Sequence, residues 1–198
     1  MGIPEPSPWR RVAGRGVYPA RYASWLVSPL RRLFLSPESL IRRFNAPRDG
    51  RILEIGCGPG YFSPAASRAV PDGGLVILDA QEAMISLALE RLRKAGCANI
   101  AATVGDAGRL PFKDGVFDIA FMATVLGETG EPASAMREAA RILQPGGRLF
   151  VTEALGDPDH MRARDVLSLA EAAGLIHSGS WASVMIRTDM FTRPDHDR

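Results

Sequence analysis

From Arg51 onwards, short β-type runs alternate with longer stretches of helical periodicity, and this alternation restricts the fold more than any other feature. "RILEIG" (51–56), "GLVILD" (74–79), "NIAATVGD" (99–106), "VFDIAFMA" (116–123) and "GRLFVTE" (147–153) read as five strands. Residues 60–70, "EAMISLALERLRKAG" (82–96) and "PASAMREAARIL" (132–143) read as helices between them, and "MRARDVLSLAEAAG" (161–174) as one that follows. Strands separated by helices need crossover connections, so the expected sheet is mainly parallel with helices on both faces. Right-handed crossovers narrow this to a doubly wound α/β arrangement. The tail, "LIHSGSWASVMIRTDMFTR", offers two strands with little between them, hence an antiparallel hairpin.

Local signals sharpen two helices. In 82–96, helical rows through Ala83, Leu87, Glu90 and Lys94 leave Met84, Leu87, Ala88 and Leu92 to face the sheet, and Gly96 supplies a left-handed stop. Pro132 sits in a first turn, and "QPGG" (144–147) ends that helix.

Composition excludes several classes. At 198 residues, 46% hydrophobic and 23% charged, the chain can bury a core without disulfides or metal. No apolar run reaches the roughly 18 residues of a membrane span, and the proline-broken start, "MGIPEPSPWRR", lacks the apolar core of a signal peptide. Cys57 and Cys97 make no framework and do not cluster with His160, His177 and His196. A reduced, cytoplasmic setting and no metal are therefore expected.

The net charge of +2 is unevenly spread. Residues 1–49 hold nine arginines against Glu5, Glu38 and Asp49, which is +6, and the remainder carries −4. We therefore divide the chain into a basic helical extension or lid (1–49) and an α/β domain (50–198). Within the extension, Tyr22, Trp25, Leu26, Leu30, Leu33 and Phe34 are interspersed with arginines, and Pro29 and Pro37 punctuate them. That pattern suits an interfacial segment in peripheral contact with anionic lipid, a lid over the active site, or plain packing on the domain or a partner. Lid or packing is favoured. Arginines neutralise phosphates, but no interleaved aromatic and basic motif for base stacking follows, which disfavours a nucleic-acid partner.

The chemistry concentrates at the strand ends. "ILEIGCGPGYFS" (52–63) places Gly56, Gly58 and Gly60 after the first strand, where residues without a β-carbon let the backbone turn sharply and approach a ligand. A plain turn would use such glycines too. The dinucleotide pattern G-x-G-x-x-G does not fit, because its third position, counted from Gly56, is the bulky Tyr61.

With Glu54, the run resembles motif I, E-x-G-x-G-x-G, of the class I S-adenosylmethionine-dependent methyltransferases. Asp79 at the end of "GLVILD", Asp106 in "GDAGRLPF", "FDIAFMATVLGE" and "ARILQPGGRLFVTE" continue the resemblance in order over about residues 50–175. In "YPARY", "SPLRRL" and "GDPDH" the chain is similar to the ubiquinone/menaquinone-type small-molecule branch. The resemblance implies a Rossmann-like fold and S-adenosylmethionine as cofactor. Glu54, Gly56, Cys57, Gly58 and Gly60 would surround the methionine portion, with Glu54 holding its amino group directly or through water. Asp79 would bind the ribose hydroxyls, Ala80 and Met84 the adenine pocket, Asp106 and Ala107 the adenine edge, and Ala123 the methionine end. For Asp79 the plain alternative is a turn or helix-cap residue, and Cys57 reads as a packed residue rather than a nucleophile.

The implied reaction is methyl transfer to a small acceptor, a lipophilic one suiting the apolar extension. No obligatory base is visible; Glu128 and Glu153 are the carboxylates placed to face an acceptor, and each reads at least as well as structural. "MATV" after the fourth strand departs from the N-P-P-Y type that acts on nucleic-acid amines, and two cysteines are too few for arsenic methylation. The competing reading is a non-catalytic sensor or partner protein that retains the cofactor pocket.

Overall fold

The structure is a computed structural model that describes residues 35–155, 157 and 159–195. The Tyr22–Phe34 stretch and His196 lie outside the described residues. Seven strands form one sheet: β1 (Arg51–Ile55), β2 (Gly74–Asp79), β3 (Ile100–Val104), β4 (Phe117–Ala123), β5 (Leu143–Ala154), β6 (Ile176–Ala182) and β7 (Ile186–Thr192). Among the described residues five α-helices accompany them: α1 (Pro37–Arg42), α2 (Ser63–Ala69), α3 (Glu82–Lys94), α4 (Pro132–Ile142) and α5 (Ala163–Ala172). The spatial order is β3-β2-β1-β4-β5-β7-β6. Neighbours among β1–β5 pair in parallel, and β7 pairs antiparallel with both β5 and β6. The doubly wound sheet and the terminal hairpin both appear, and the winding reverses between β1 and β4.

Each face of the sheet has its own core. On one side Leu53, Ile55, Phe117, Leu149 and Val151 meet Ala135, Met136 and Ala139 of α4 and Val166 and Ala170 of α5. On the other, Ile52, Ile77, Phe121 and Phe150 meet α2, α3 and the segment 35–44. Phe44 is fully buried there, its ring stacked on Phe150 at 4.3 Å and tilted against Phe121 at 5.1 Å. The described end of the arginine-rich extension thus shares the core of the domain that follows it.

Two details depart from the sequence reading. In α3 the buried residues are Met84, Ile85, Ala88 and Leu92, whereas Leu87 is 39% exposed. At about 100° per residue the four occupy one contiguous arc, and Leu87 falls beside it. The fifth strand starts earlier than "GRLFVTE": Leu143 already pairs with Phe117, and the register shifts before Ile119 pairs with Arg148. The "QPGG" turn, with Gly146 at φ +74°, therefore lies inside the ladder rather than between helix and strand.

Candidate functional site

The carboxyl ends of β1, β2 and β4 surround an open cleft at the reversal point, where doubly wound sheets place their ligands. Its floor is the glycine loop. Gly56, Gly58 and Gly60 have φ of +70°, +50° and +77°, a region other residues enter at a cost. Packing also excludes side chains at two of them. A β-carbon on Gly56 would lie 2.5 Å from Val125 Cγ2, and one on Gly60 2.9 Å from the Ala88 backbone.

The loop is fixed from outside. Gly56 and Cys57 N–H both donate to the Leu78 carbonyl at 2.8 and 3.0 Å, and the Arg91 side chain donates to the Pro59 carbonyl at 3.1 Å. Asp79, 8% exposed, is the main anchor. Its Oδ2 accepts from Gly58 N–H at 2.8 Å and its Oδ1 from Gln81 N–H at 2.9 Å. Burial raises its pKa, against the lowering effect of these backbone bonds. Ala80 N–H acts on the same carboxylate, and with roughly four lone-pair sites the turn-capping role still leaves capacity for a ligand hydroxyl.

Across the cleft, Asp106 Oδ1 accepts from Gly108 N–H at 2.8 Å, which shapes the turn holding Gly105, Asp106 and Ala107 on the wall. Arg141 supports this segment, donating to the Leu110 and Phe112 carbonyls at 3.1 and 2.8 Å while pairing with Glu138 and Asp114. On the β4 side the wall runs through Ala123, Thr124 and Val125 to Glu128 in a single 3₁₀ turn (Leu126–Glu128). Thr124 adopts φ +59°, unusual for a β-branched residue, with its N–H donating to the Thr152 carbonyl at 2.8 Å.

Of the residues singled out from the sequence, Gly56, Cys57, Gly58, Asp79, Ala80, Met84, Asp106, Ala107, Ala123 and Glu128 line this cleft. Gly60 lies beneath the loop, against Ala88. Glu54 is 2% exposed and off the lining, its Oε2 accepting from Ser63 Oγ–H at 2.6 Å. Burial pushes its carboxyl up to about 8, with the Asp79 charge adding and the Ser63 bond opposing. Burial likewise pushes the Cys57 thiol up, which keeps it protonated and inert. Glu153 faces a different cavity.

Tyr61, Phe62, Gln81, Thr124 and Val125 also line the cleft, although none was singled out from the sequence as a site residue. Tyr61, Phe62, Thr124 and Val125 lie inside the quoted motif stretches and Gln81 adjoins Ala80, and only that position could have pointed to them. Tyr61 also acts beyond the lining, because its hydroxyl donates to the Leu35 carbonyl at 3.0 Å and so ties the cleft to the first described residue. Among the described residues no cluster of histidine, cysteine and carboxylates could hold a metal ion, and no helix is long and apolar enough to cross a membrane.

Residues 52–147 match the family described as "Methyltransferase domain". The ubiquinone/menaquinone biosynthesis C-methyltransferase UbiE of Pseudomonas entomophila (strain L48) is 39% identical over 121 residues, 58% of this chain and 47% of that protein. An uncharacterised 37.1 kDa protein in transposon TN4556 of Streptomyces fradiae is 37% identical over 108 residues, 54% of this chain and 30% of that one. The chain thus spans half the length or less of these relatives. A crystal structure of a SAM-dependent methyltransferase from Aquifex aeolicus superposes with a TM-score of 0.83 at 22% identity, covering 89% of this chain and 99% of the other.

Proposed function

We propose that this chain, whose residues 52–147 match the methyltransferase-domain family, is a class I S-adenosylmethionine-dependent methyltransferase that transfers a methyl group from S-adenosylmethionine to a small, lipophilic acceptor. The observation that carries the reading is the cleft itself. It brings the glycine loop, the Asp79 carboxylate, the Asp106–Ala107 turn and the Ala123–Val125 strand end onto one surface.

The residues present suit that cofactor. Asp79, already oriented by two backbone N–H groups, would accept from the ribose hydroxyls. Ala80 and Met84 would flank the adenine, with Asp106 and the Ala107 backbone at its edge. The glycine loop and Ala123 would hold the methionine portion, and Glu54 would balance its ammonium charge from below the loop. When bound, the cofactor would supply an electrophilic sulfonium methyl: an acceptor nucleophile would bond to that carbon in line while the carbon–sulfur bond breaks and the sulfur leaves with the bonding pair. The protein's contribution is to align acceptor and donor and to exclude water. An acceptor that must lose a proton needs a base, and Glu128 is the carboxylate on the cleft wall nearest the β4 end.

The character of the acceptor is drawn from two supports. The UbiE relatives are named C-methyltransferases of ubiquinone/menaquinone biosynthesis, which favours a quinol-like aromatic ring. Residues 1–34 are rich in apolar and arginine side chains, a composition compatible with a lipophilic acceptor, and Tyr61 links the cleft to residue 35. Incubation with isotopically labelled S-adenosylmethionine and a panel of quinols, phenols and lipids tests the acceptor. Label transfer to a quinol or phenol is expected, and transfer confined to nucleic acid or protein would refute it. Calorimetric titration with S-adenosylhomocysteine tests the donor site, and a folded sample that fails to bind would end the reading.

A further inference from the structure

We propose that the cavity between β5, β7 and the start of α5 is a second ligand site, for a small apolar molecule that presents a neutral hydroxyl to Glu153 Oε1. This cavity, of about 380 Å³, shares no lining residue with the donor cleft. Its size falls within the range of small-molecule pockets.

Glu153 provides the recognition chemistry. Strand alternation turns its side chain to the α5 face of the sheet, opposite to Thr152, whose hydroxyl bonds Thr188 Oγ1 at 2.9 Å. The side chain is 8% exposed and lines the cavity. One carboxylate oxygen, Oε2, accepts from Met161 N–H at 3.0 Å, and the other, Oε1, has no hydrogen-bond partner among the described residues. A buried acceptor left unpaired is costly, and a donor arriving with a ligand removes that cost. Burial also raises the Glu153 carboxyl to about 7, so its ionised form is accessible near neutrality.

The surroundings choose the kind of donor. Leu155, Met161, Val166 and Ile186 give the cavity apolar walls. Arg187, opposite Glu153 in the β5–β7 ladder, is held by Asp189, with Nε and Nη2 each 2.7 Å from a carboxylate oxygen. Arg162 also lines the cavity. Asp189 and His160 line it as well, so the guanidinium charges are matched within the wall, and a neutral hydroxyl on an apolar body meets both the apolar walls and the Glu153 carboxylate without adding a charge to bury. The partition from the donor cleft is tight: a β-carbon on Gly127 would overlap the Asp159 carbonyl oxygen and approach Met161 Cγ to 3.5 Å.

Phenol and toluene are suitable probes, because they differ by a hydroxyl in place of a methyl. With methionine methyls labelled, Met161 reports this cavity and Met84 the donor cleft. Phenol is expected to shift the Met161 signal saturably, about tenfold more tightly than toluene, and to leave Met84 unmoved. Glu153→Leu is expected to bring the two probes to about equal affinity. Equal affinities in the native protein, no saturable Met161 shift, or a shift at Met84 alone would each overturn the proposal. If Glu153→Leu does not fold, the phenol-to-toluene ratio of the native protein decides alone. The site stands apart from the methyl-transfer reading: loss of S-adenosylhomocysteine binding would end that reading and leave this test untouched.

Discussion

Glu54 offers a measurable consequence of the buried site, because its carboxyl rises from 4.5 to about 8. Between those values the native state holds a proton that the unfolded chain has released. Stability from this group is therefore complete below the unfolded value and is lost as pH rises through the folded one. A gap of about 3.5 pH units, at 1.36 kcal/mol each, corresponds to roughly 5 kcal/mol. That is a large share of the ~5–15 kcal/mol that holds a domain folded. Glu54→Gln cannot ionise, so urea unfolding of native and variant protein at about pH 5 and about pH 9 isolates the contribution. Titration of Glu153 is common to both proteins and cancels in the comparison. The variant is expected to be the less stable at the acid end, where its amide replaces a protonated carboxyl beside Ser63. It is expected to gain roughly 3–5 kcal/mol relative to the native protein by the alkaline end. Parallel stability curves would refute the buried, protonated carboxyl.

The same proton reports on the donor. An ammonium brought near Glu54 favours its ionised form, so S-adenosylhomocysteine binding at about pH 7 should release most of a proton. Calorimetry in buffers of different ionisation enthalpy reads that release directly. Binding with no released proton would remove Glu54 from the amino-group site while leaving its structural role intact.

Asp79→Ala should weaken S-adenosylhomocysteine about 30-fold or more, since it removes the proposed ribose acceptor and frees the Gly58 and Gln81 N–H groups; full affinity in calorimetry would refute the assignment. Gly60→Ala forces φ +77° on a residue with a β-carbon and crowds Ala88, so urea unfolding should show a loss of about 2–4 kcal/mol, and an unchanged midpoint would count against the loop geometry. Arg141→Ala should cost about 1–3 kcal/mol in thermal unfolding and loosen the turn carrying Asp106. Arg141→Lys should fail to restore that stability, because one ammonium cannot span Leu110, Phe112, Glu138 and Asp114 together, and full rescue would refute the fork-like role.

The fold was legible because its signals are periodic and repeated. The strand runs in 51–153 have strand length and apolar content, with the exposed edge strand β3 carrying its signal in β-branched residues instead, and the intervening helices carry their own apolar arcs. Legibility failed where one residue decides between neighbouring solutions. Leu87 and Ile85 both belong to an apolar α3, and only the lie of the helix on β2 and β3 selects Ile85 for burial. In the same way, nothing in "QPGG" reveals that Leu143 reaches Phe117 before the turn is complete, since that pairing depends on where β4 begins.

The candidate site divides along a similar line. The glycines were legible, and the structure gives them reasons beyond a ligand's approach: Gly56 makes room for Val125, Gly60 for Ala88, and Gly58 adopts the φ of +50° from which its N–H reaches Asp79. All three also need a left-handed backbone, so the loop would demand glycine even with the cleft empty. A glycine pattern of this kind therefore encodes how β1, α3 and the β4 end close around one another. The sequence alone could not supply Thr124, whose positive φ runs against its residue type, nor the separation of Glu128 from Glu153. Both carboxylates sit near the carboxyl ends of strands, but Glu128 lies in the turn after β4 while Glu153 is still in β5, turned to the α5 face. One residue of register would have put Glu153 on the face occupied by Thr152. Strand parity, fixed by the β5–β7 ladder, is what assigns these two acids to different cavities.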